Sequence, residues 1–347
     1  MPVRPRRPGR LARAVVAVVA LVLLAAIPGL PPTHAQKPAG CEYQGVERVV
    51  AVADVHGAYD RYLEILRVAG VIDERRHWTG GRTHFVQLGD IVDRGAQSRK
   101  VLDFLRDLEG PARRAGGKVH VLLGNHEVMR MLGDLRYVAP GEYEAFVTPE
   151  SRDLRQRYLR RLPEEERARV EPTLPLGWVE MRVAFGQAGQ YGSWLHKLDT
   201  VVRLNEVLFV HGGLSPEVSQ MRCDAINDTV RRELSTEIDK TRAAPLKSLV
   251  ASENGPLWYR GLAQESPEFE AKLDEILANQ GAKAIVVGHT IQQDGRIQKR
   301  FGGKVFALDT GMQPAYLPSG RAAALEIVNG TFTAIYADRR EVLVKHN

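Results

Sequence analysis

The sequence predicts an α/β fold in which parallel strands end in polar turns and are followed by helices. Three apolar runs in the first half of the chain show this order: Arg48–Ala53, His84–Leu88 and Lys118–Leu123. Each run ends at a glycine-containing turn that carries acidic or histidine side chains, and helical sequence follows. Repeated alternation of strand and helix is the pattern of an α/β protein with a parallel sheet.

The first 35 residues are typical of a secretory signal peptide. Five arginines precede an apolar run over residues 14–30, and Thr33-His34-Ala35 offers a cleavage site of small residues. An uncleaved membrane anchor is the alternative, because a run of this length lies at the lower limit for a membrane span. We therefore expect an exported protein, periplasmic or secreted, that stays at the membrane only if the segment is not cleaved.

Removing this leader changes the charge of the chain. The formal net charge falls from +6 to +1 when the five leader arginines are removed. A nearly neutral mature chain gives no support for nucleic-acid binding. The two cysteines, Cys41 and Cys223, would be free to form a disulfide in an exported protein, but the distance between them cannot be read from sequence.

Residues 36–47 are predicted to be a polar linker before the first strand. Helices follow the first two strands: Tyr59–Val68 is amphipathic, and a second helix begins at Ser98, whose hydroxyl is suited to capping it. From about residue 128 to 200 no run has strand character, and charged residues recur at helical spacing. This stretch is predicted to be a mainly helical insertion that lies over the polar strand ends.

Strand character returns after the insertion. The predicted strands are Glu206–Val210, Ala284–Val287, Val305–Asp309, Ala322–Val328 and Thr331–Ala337. Helical sequence covers about 217–250 and 267–279, and Asn329-Gly330 predicts a hairpin between the last two strands. One domain is expected over 48–338, with 339–347 as a C-terminal tail.

Five predicted strands end in side chains that bind cations. These are Asp54 and His56, Asp90 and Asp93, Asn125 and His126, His211, and His289. A lone residue of this kind usually makes a structural hydrogen bond, but such placement at five strand ends indicates a site, because ligands bind at the carboxyl ends of strands in α/β sheets. Carboxylate, amide and imidazole groups suit two divalent ions such as Mn²⁺, Fe or Zn²⁺.

Phosphate ester hydrolysis is the chemistry that this set indicates. Two neighbouring ions can clamp the attacking and the leaving oxygen of a phosphoryl displacement. Arg94, in the same turn as Asp90 and Asp93, carries a fork of donors that matches phosphate oxygens. An imidazole that does not bind metal is available to protonate the leaving oxygen.

The motifs resemble those of the calcineurin-like metallophosphoesterases. They are Asp54-x-His56-Gly57, Gly89-Asp90-x-x-Asp93-Arg94-Gly95, Gly124-Asn125-His126-Glu127, His211-Gly212-Gly213 and Gly288-His289. The Asp-Arg-Gly and Asn-His-Glu forms resemble the phosphoprotein phosphatase branch. The predicted export of the chain and its segment Leu257-Trp258-Tyr259-Arg260 make it most similar to bacterial Shewanella-like protein phosphatases. This resemblance implies an α-β-β-α sandwich of two mixed sheets.

The same resemblance implies a role for each site residue. The metal ligands would be Asp54 and His56 for the first ion, Asp90 for both, and Asn125, His211 and His289 for the second. His126 would be the general acid, oriented by Asp93. The phosphate would be bound by Arg94, Arg260 and Asn125. The ions are expected to be Mn²⁺, with Fe or Zn²⁺ as alternatives.

Two positions depart from the family pattern. Ala53 precedes Asp54 where the phosphatase branch usually has glycine, and this leaves the ligands intact. Ile291 stands where many metallophosphoesterases have a second histidine, so the first ion would have one protein ligand fewer.

The expected activity is hydrolysis of phosphomonoesters by in-line attack of a metal-bridging hydroxide. The expected substrates are phosphoproteins, through tyrosine, serine or threonine, or small phosphomonoesters. A symmetrical diadenosine tetraphosphatase, or another nucleotide phosphohydrolase, is the alternative, because residues 308–311 resemble a segment of that family. A binding protein without activity is disfavoured, because every ligand, His126 and Arg94 are present.

Overall fold

The computed structural model describes residues 40–345 of the chain. The predicted leader therefore lies outside the described residues. Within 40–345, no helix has both the length and the apolar character that crossing a membrane requires.

Twelve strands and twelve α-helices form in this range. The strands are β1 (Glu42–Tyr43), β2 (Arg48–Val52), β3 (His84–Gln87), β4 (Lys118–Val121), β5 (Val201–Leu204), β6 (Val207–Val210), β7 (Ala284–Val287), β8 (Gln298–Arg300), β9 (Val305–Ala307), β10 (Ala323–Val328), β11 (Thr331–Tyr336) and β12 (Arg340–Lys345). The helices are α1 (Tyr59–Val68), α2 (Ser98–Arg114), α3 (Asn125–Leu132), α4 (Pro140–Glu144), α5 (Ser151–Leu159), α6 (Glu164–Val170), α7 (Trp178–Phe185), α8 (Gly192–Leu195), α9 (Cys223–Leu234), α10 (Ile238–Ala243), α11 (Gly261–Gln264) and α12 (Glu270–Gln280).

The strands form two mixed sheets of six strands each. The first sheet has the order β12-β11-β10-β2-β3-β4, and the second has the order β1-β5-β6-β7-β9-β8. Within the first sheet β2, β3 and β4 are parallel, as the sequence predicts, and β10 runs antiparallel to β2. Within the second sheet β6, β7 and β9 are parallel. The predicted α/β fold of two mixed sheets is confirmed.

Alternating side chains of the central strands enter different cores. In β2, Val49 packs between the two sheets, whereas Val50 faces the core that contains α1 and α2. In β6, Phe209 packs between the sheets, whereas Leu208 joins the core that contains α9 and α12. The strands are therefore buried on both faces, which is why they appear in the sequence as continuous apolar runs.

Helices α3 to α8 occupy the chain between β4 and β5. Strands are absent from this part of the described chain, as predicted for the helical insertion (residues 128–200). A side-chain hydrogen bond connects the insertion to α2. The Ser98 hydroxyl donates to Glu142 Oε1 of α4 at 2.5 Å. The prediction that Ser98 caps α2 is wrong, because Gln97 occupies the N-cap position and no side chain caps it.

Four strands were not predicted: β1, β5, β8 and β12. β1 lies in the stretch expected to be a linker, and β12 lies in the expected C-terminal tail and pairs with β11. Three of the four are edge strands, in which charged or exposed residues obscure the apolar pattern. β1 is also tied covalently to the domain: Cys41, next to it, forms a disulfide with Cys223 of α9, with Cα atoms 6.2 Å apart.

Candidate metal centre

Six strand ends meet at one edge of the sandwich, three from each sheet. The side chains that they present are Asp54 and His56 after β2, Asp90 and Asp93 after β3, Asn125 and His126 after β4, His211 after β6, His289 after β7, and Asp309 after β9. All of them are buried. Five of these ends are predicted by the sequence, and Asp309 is an addition.

The Asp90 carboxylate lies at the centre of this group. Its Oδ1 is 3.3 Å from Nε2 of His211, and its Oδ2 is 3.6 Å from Nε2 of His56 and 3.9 Å from Nε2 of His126. Two sets of side chains bring potential metal-ligand atoms within 4.8 Å of one another, His56–Asp90–His126 and Asp90–His211–His289. Asp90 belongs to both sets.

Backbone carbonyls orient two of the imidazoles toward Asp90. Nδ1 of His56 lies 2.9 Å from the carbonyl oxygen of Val92, and Nδ1 of His211 lies 2.7 Å from that of Leu88. A carbonyl oxygen only accepts, so each Nδ1 carries the proton and each Nε2 is directed at the centre. This is the arrangement that prepares imidazoles to bind a metal.

Carboxylates concentrate negative charge in the same place. Burial, followed by the nearby charge of Asp309, raises the pKa of Asp54 well above its usual value. Burial and the charge of Asp90 raise the pKa of Asp309 to about 6. Burial would lower the pKa of His211, but the charge of Asp90 outweighs it and raises that pKa to about 9.

These observations fit divalent cations. Within the described chain, the buried Nε2 of His289 has no hydrogen-bond partner. A cation would satisfy an unpaired buried nitrogen that lies beside crowded carboxylates.

Two predicted ligands make other contacts in this structure. Asp54 is not in either set of three ligands, and its Oδ1 accepts a hydrogen bond from the backbone N–H of His289 at 2.9 Å. Oδ1 of Asn125 lies 3.0 Å from Nε2 of His211.

The backbone of the centre is strained. Nine described residues other than glycine have positive φ, and five belong to this site: His56, Asp90, Asp93, Arg94 and His289, with φ between 46° and 72°. Such conformations cost about 1–3 kcal/mol each and cluster at functional sites. Close packing adds a second constraint, because a Cβ on Gly124 would lie 2.2 Å from Oδ1 of Asp90.

His126 and Asp93 form a buried pair beside the centre. Nδ1 of His126 lies 2.7 Å from Oδ2 of Asp93. Burial would lower the pKa of His126, but Asp90 and then Asp93 outweigh it and raise that pKa. Burial would raise the pKa of Asp93, but the hydrogen bond from His126 and the charge of Arg130 keep it below its usual value.

The two predicted phosphate-binding arginines, Arg94 and Arg260, lie at the rim of the centre. The guanidinium of Arg94 contacts two rings, with its Cζ 3.8 Å from the centroid of Tyr316 and 4.7 Å from that of Tyr137. Its Nε is buried and lacks a hydrogen-bond partner among residues 40–345. Nη1 of Arg260 donates to the carbonyl oxygen of His289 at 2.8 Å. Arg94 therefore lies in the loop that carries Asp90, and Arg260 contacts the loop that carries His289.

Several residues of the site were not predicted from the sequence. Asp309 follows the apolar run 305–308 and precedes Thr310-Gly311, so it has the pattern of the other five strand ends and was detectable. Tyr137 and Tyr316 lie in irregular loops far from Arg94 in sequence, and no local pattern identifies them.

Glu127 holds the loop that carries Asp90. Its Oε2 accepts from the backbone N–H groups of Asp90 and Gly124, both at 2.9 Å, and its Oε1 accepts from those of Ile91 and Val92 at 2.8 and 3.2 Å. Burial, followed by the charge of Asp90, raises the pKa of Glu127, and these N–H donors oppose the shift. One buried carboxylate therefore fixes the loop from Asp90 to Val92.

We predict that Glu127→Gln lowers the free energy of unfolding by about 1.5–3 kcal/mol, since one amide N–H₂ would replace an acceptor for backbone donors. Urea denaturation measures the change. Glu144→Gln, at an exposed position of α4, is the control and should stay within about 0.5 kcal/mol of the parent protein. Equal stability of the two variants would contradict this role of Glu127.

Known proteins are similar to this chain. Residues 47–293 match the family model of the calcineurin-like phosphoesterases. The chain is 32% identical over 298 residues to Shewanella-like protein phosphatase 2 of Arabidopsis thaliana, and this match covers 78% of this chain and 72% of that protein. It is 33% identical over 304 residues to an uncharacterised protein of Schizosaccharomyces pombe, with coverage of 86% and 82%.

A solved structure is similar over most of the fold. The crystal structure of a cold-active protein-tyrosine phosphatase from a psychrophilic Shewanella species superposes with a TM-score of 0.70. The two chains are 34% identical, and the match covers 88% of this chain and 82% of the other. With the family model and these relatives, the chain belongs to the calcineurin-like metallophosphoesterases, is a phosphoric monoester hydrolase, and falls among the Shewanella-like protein phosphatases.

Proposed function

We propose that this protein is a dinuclear phosphoprotein phosphatase with a preference for phosphotyrosine. The observation that carries the proposal is the position of Asp90, which belongs to both sets of potential metal ligands. His126 is a member of one set, but in this proposal Asp54 is the ligand in its place, and His126, whose Nδ1 is paired with Asp93, is the proton donor. A shared carboxylate between two cation positions is what a two-metal phosphoryl-transfer site needs.

The proposed ions have defined ligands in this chain. The residues that would hold them are Asp54 and His56 on one side, Asp90 between, and Asn125, His211 and His289 on the other. When bound, the ions would polarise the phosphoryl oxygens and activate the attacking water for in-line displacement. Oxygen and imidazole donors suit Mn²⁺, with Fe or Zn²⁺ as alternatives.

The remaining steps fall to protein side chains. His126 would give the proton on Nε2 to the leaving oxygen, and its bond from Nδ1 to Asp93 keeps the ring in place. Arg94 would bind non-bridging oxygens of the phosphate with its fork of donors, while the rings of Tyr137 and Tyr316 restrict its movement.

A groove beside the centre supports the preference for an aryl ester. It has a volume of about 540 Å³. Its apolar lining includes Val128, Met129, Leu132, Leu246 and Trp258. Tyr137 and Trp258 form walls of the groove and also face the site, because the Tyr137 ring lies 5.2 Å from that of His126 and the Trp258 ring 5.8 Å from that of His289. The similar Shewanella enzyme is named a protein-tyrosine phosphatase.

A substrate panel tests the proposal. Protein stripped of metal and reloaded with Mn²⁺ should hydrolyse phosphotyrosine peptides with a kcat/KM at least about tenfold above that for phosphoserine and phosphothreonine peptides, since an apolar wall discriminates by about 1–3 kcal/mol. The stripped protein should be inactive. Faster turnover of diadenosine tetraphosphate than of every phosphopeptide would contradict the proposal, as would full activity without metal.

We also propose that the protein is exported. The leader pattern and the Cys41–Cys223 disulfide support this, because disulfides persist in oxidising compartments. When the full chain is expressed in a bacterial host, the mature form should begin after Ala35, occur in the periplasmic fraction and resist thiol alkylation until it is reduced. An intact leader in a cytosolic product with two free thiols would contradict export, and an intact leader in the membrane fraction would indicate an anchor.

A further inference from the structure

A buried arginine lies behind the His126–Asp93 pair. Arg130 of α3 is the largest of the fully buried side chains within residues 40–345, with 1% of its surface exposed. Its guanidinium pairs with two buried carboxylates, Asp93 and Glu142. The same group lies 4.9 Å from the ring centroid of Phe185. Burying a guanidinium is costly unless its charge is paired, so this position is defined by the two carboxylates.

The contacts form a continuous row that starts at His126. Oδ2 of Asp93 faces Nδ1 of His126, and Oδ1 of Asp93 faces Nη2 of Arg130. Nη2 of Arg130 also faces Glu142, which accepts a hydrogen bond from the Ser98 hydroxyl. Because both oxygens of Asp93 are engaged, its carboxylate cannot rotate without breaking a charged contact.

The helical insertion supplies the far end of this row. Asp93 follows β3 of the sandwich, whereas Arg130, Glu142 and Phe185 lie within the insertion. Removing Arg130 would free Oδ1 of Asp93 and leave two buried carboxylates without their shared cation. The orientation of the His126 ring would then depend on one hydrogen bond to a carboxylate that is free to turn.

We propose that Arg130 and Glu142 are positioning residues for the phosphatase reaction. Arg130 holds Asp93 so that His126 keeps the orientation in which it protonates the leaving oxygen, and Glu142 holds Arg130. This inference rests on the proposed function, because it acts through His126 as proton donor.

Substrates with different leaving groups test the inference. Phenyl phosphate releases a basic oxygen that needs a proton, whereas p-nitrophenyl phosphate releases a stable phenolate that does not. General acids contribute about 10²–10⁴-fold to rate. Arg130→Gln should therefore lower kcat for phenyl phosphate about 100-fold and kcat for p-nitrophenyl phosphate less than about tenfold. KM and the bound metal content should stay at the values of the parent protein.

Two further variants sharpen the test. Glu142→Gln keeps the contact between Arg130 and Asp93, so it should show the same selective loss at a smaller size. Arg182→Gln is the matched control, because Arg182 donates to the backbone carbonyl of Arg130 and touches neither carboxylate. It should leave the ratio of the two rates unchanged. If Arg130→Gln does not fold, Arg130→Lys is the substitute, because it keeps the positive charge. It should show the same selective loss of rate at a smaller size.

The outcomes separate the two claims. Equal loss on both substrates, or loss of metal in the Arg130 variants, would overturn the positioning role while the parent protein stays active. An inactive parent protein with metal bound would overturn the proposed function, and the inference would fall with it.

Discussion

The Asp90 carboxylate, buried among three imidazoles, is the interaction on which the site depends. His56 reaches it from the loop after β2, His126 from the first turn of α3, and His211 from the end of β6 in the second sheet. Glu127 fixes its loop by accepting hydrogen bonds from three backbone N–H groups, those of Asp90, Ile91 and Val92. The centre therefore exists only while the two sheets keep their register against each other, and the apolar core between them maintains it.

The sandwich and the helical insertion contribute differently to this site. The segments that directly follow the strands supply the candidate metal ligands, so the position of the cation-binding part follows from sheet geometry. The insertion supplies Tyr137 beside Arg94, part of the apolar groove wall, and Arg130 behind Asp93. Substrate selection and the orientation of the proton donor are thus expected to change with the insertion, while cation binding is expected to change with the strand-end loops.

Much of this was predictable because the central strands are buried on both faces. Runs such as Arg48–Ala53 appear as continuous apolar sequence, and glycine-flanked polar residues mark where each strand ends. Asp309 followed the same rule and was overlooked. The contact of Arg94 with Tyr316 and the ion pair of Arg130 with Asp93 could not be predicted from the sequence, because they depend on tertiary contacts between distant segments. Ser98 illustrates the same limit, since its partner is Glu142 and not its own helix.

The division of roles between Asp90 and Asp93 is the central claim, and bound metal measures it most directly. After dialysis against Mn²⁺, the parent protein should hold about two ions per chain. Asp93→Asn should hold the same number and mainly turn over more slowly, because Asp93 contacts His126 and Arg130. Asp90→Asn should lose metal and activity together. Full metal content in Asp90→Asn, or loss of metal in Asp93→Asn, would contradict the account.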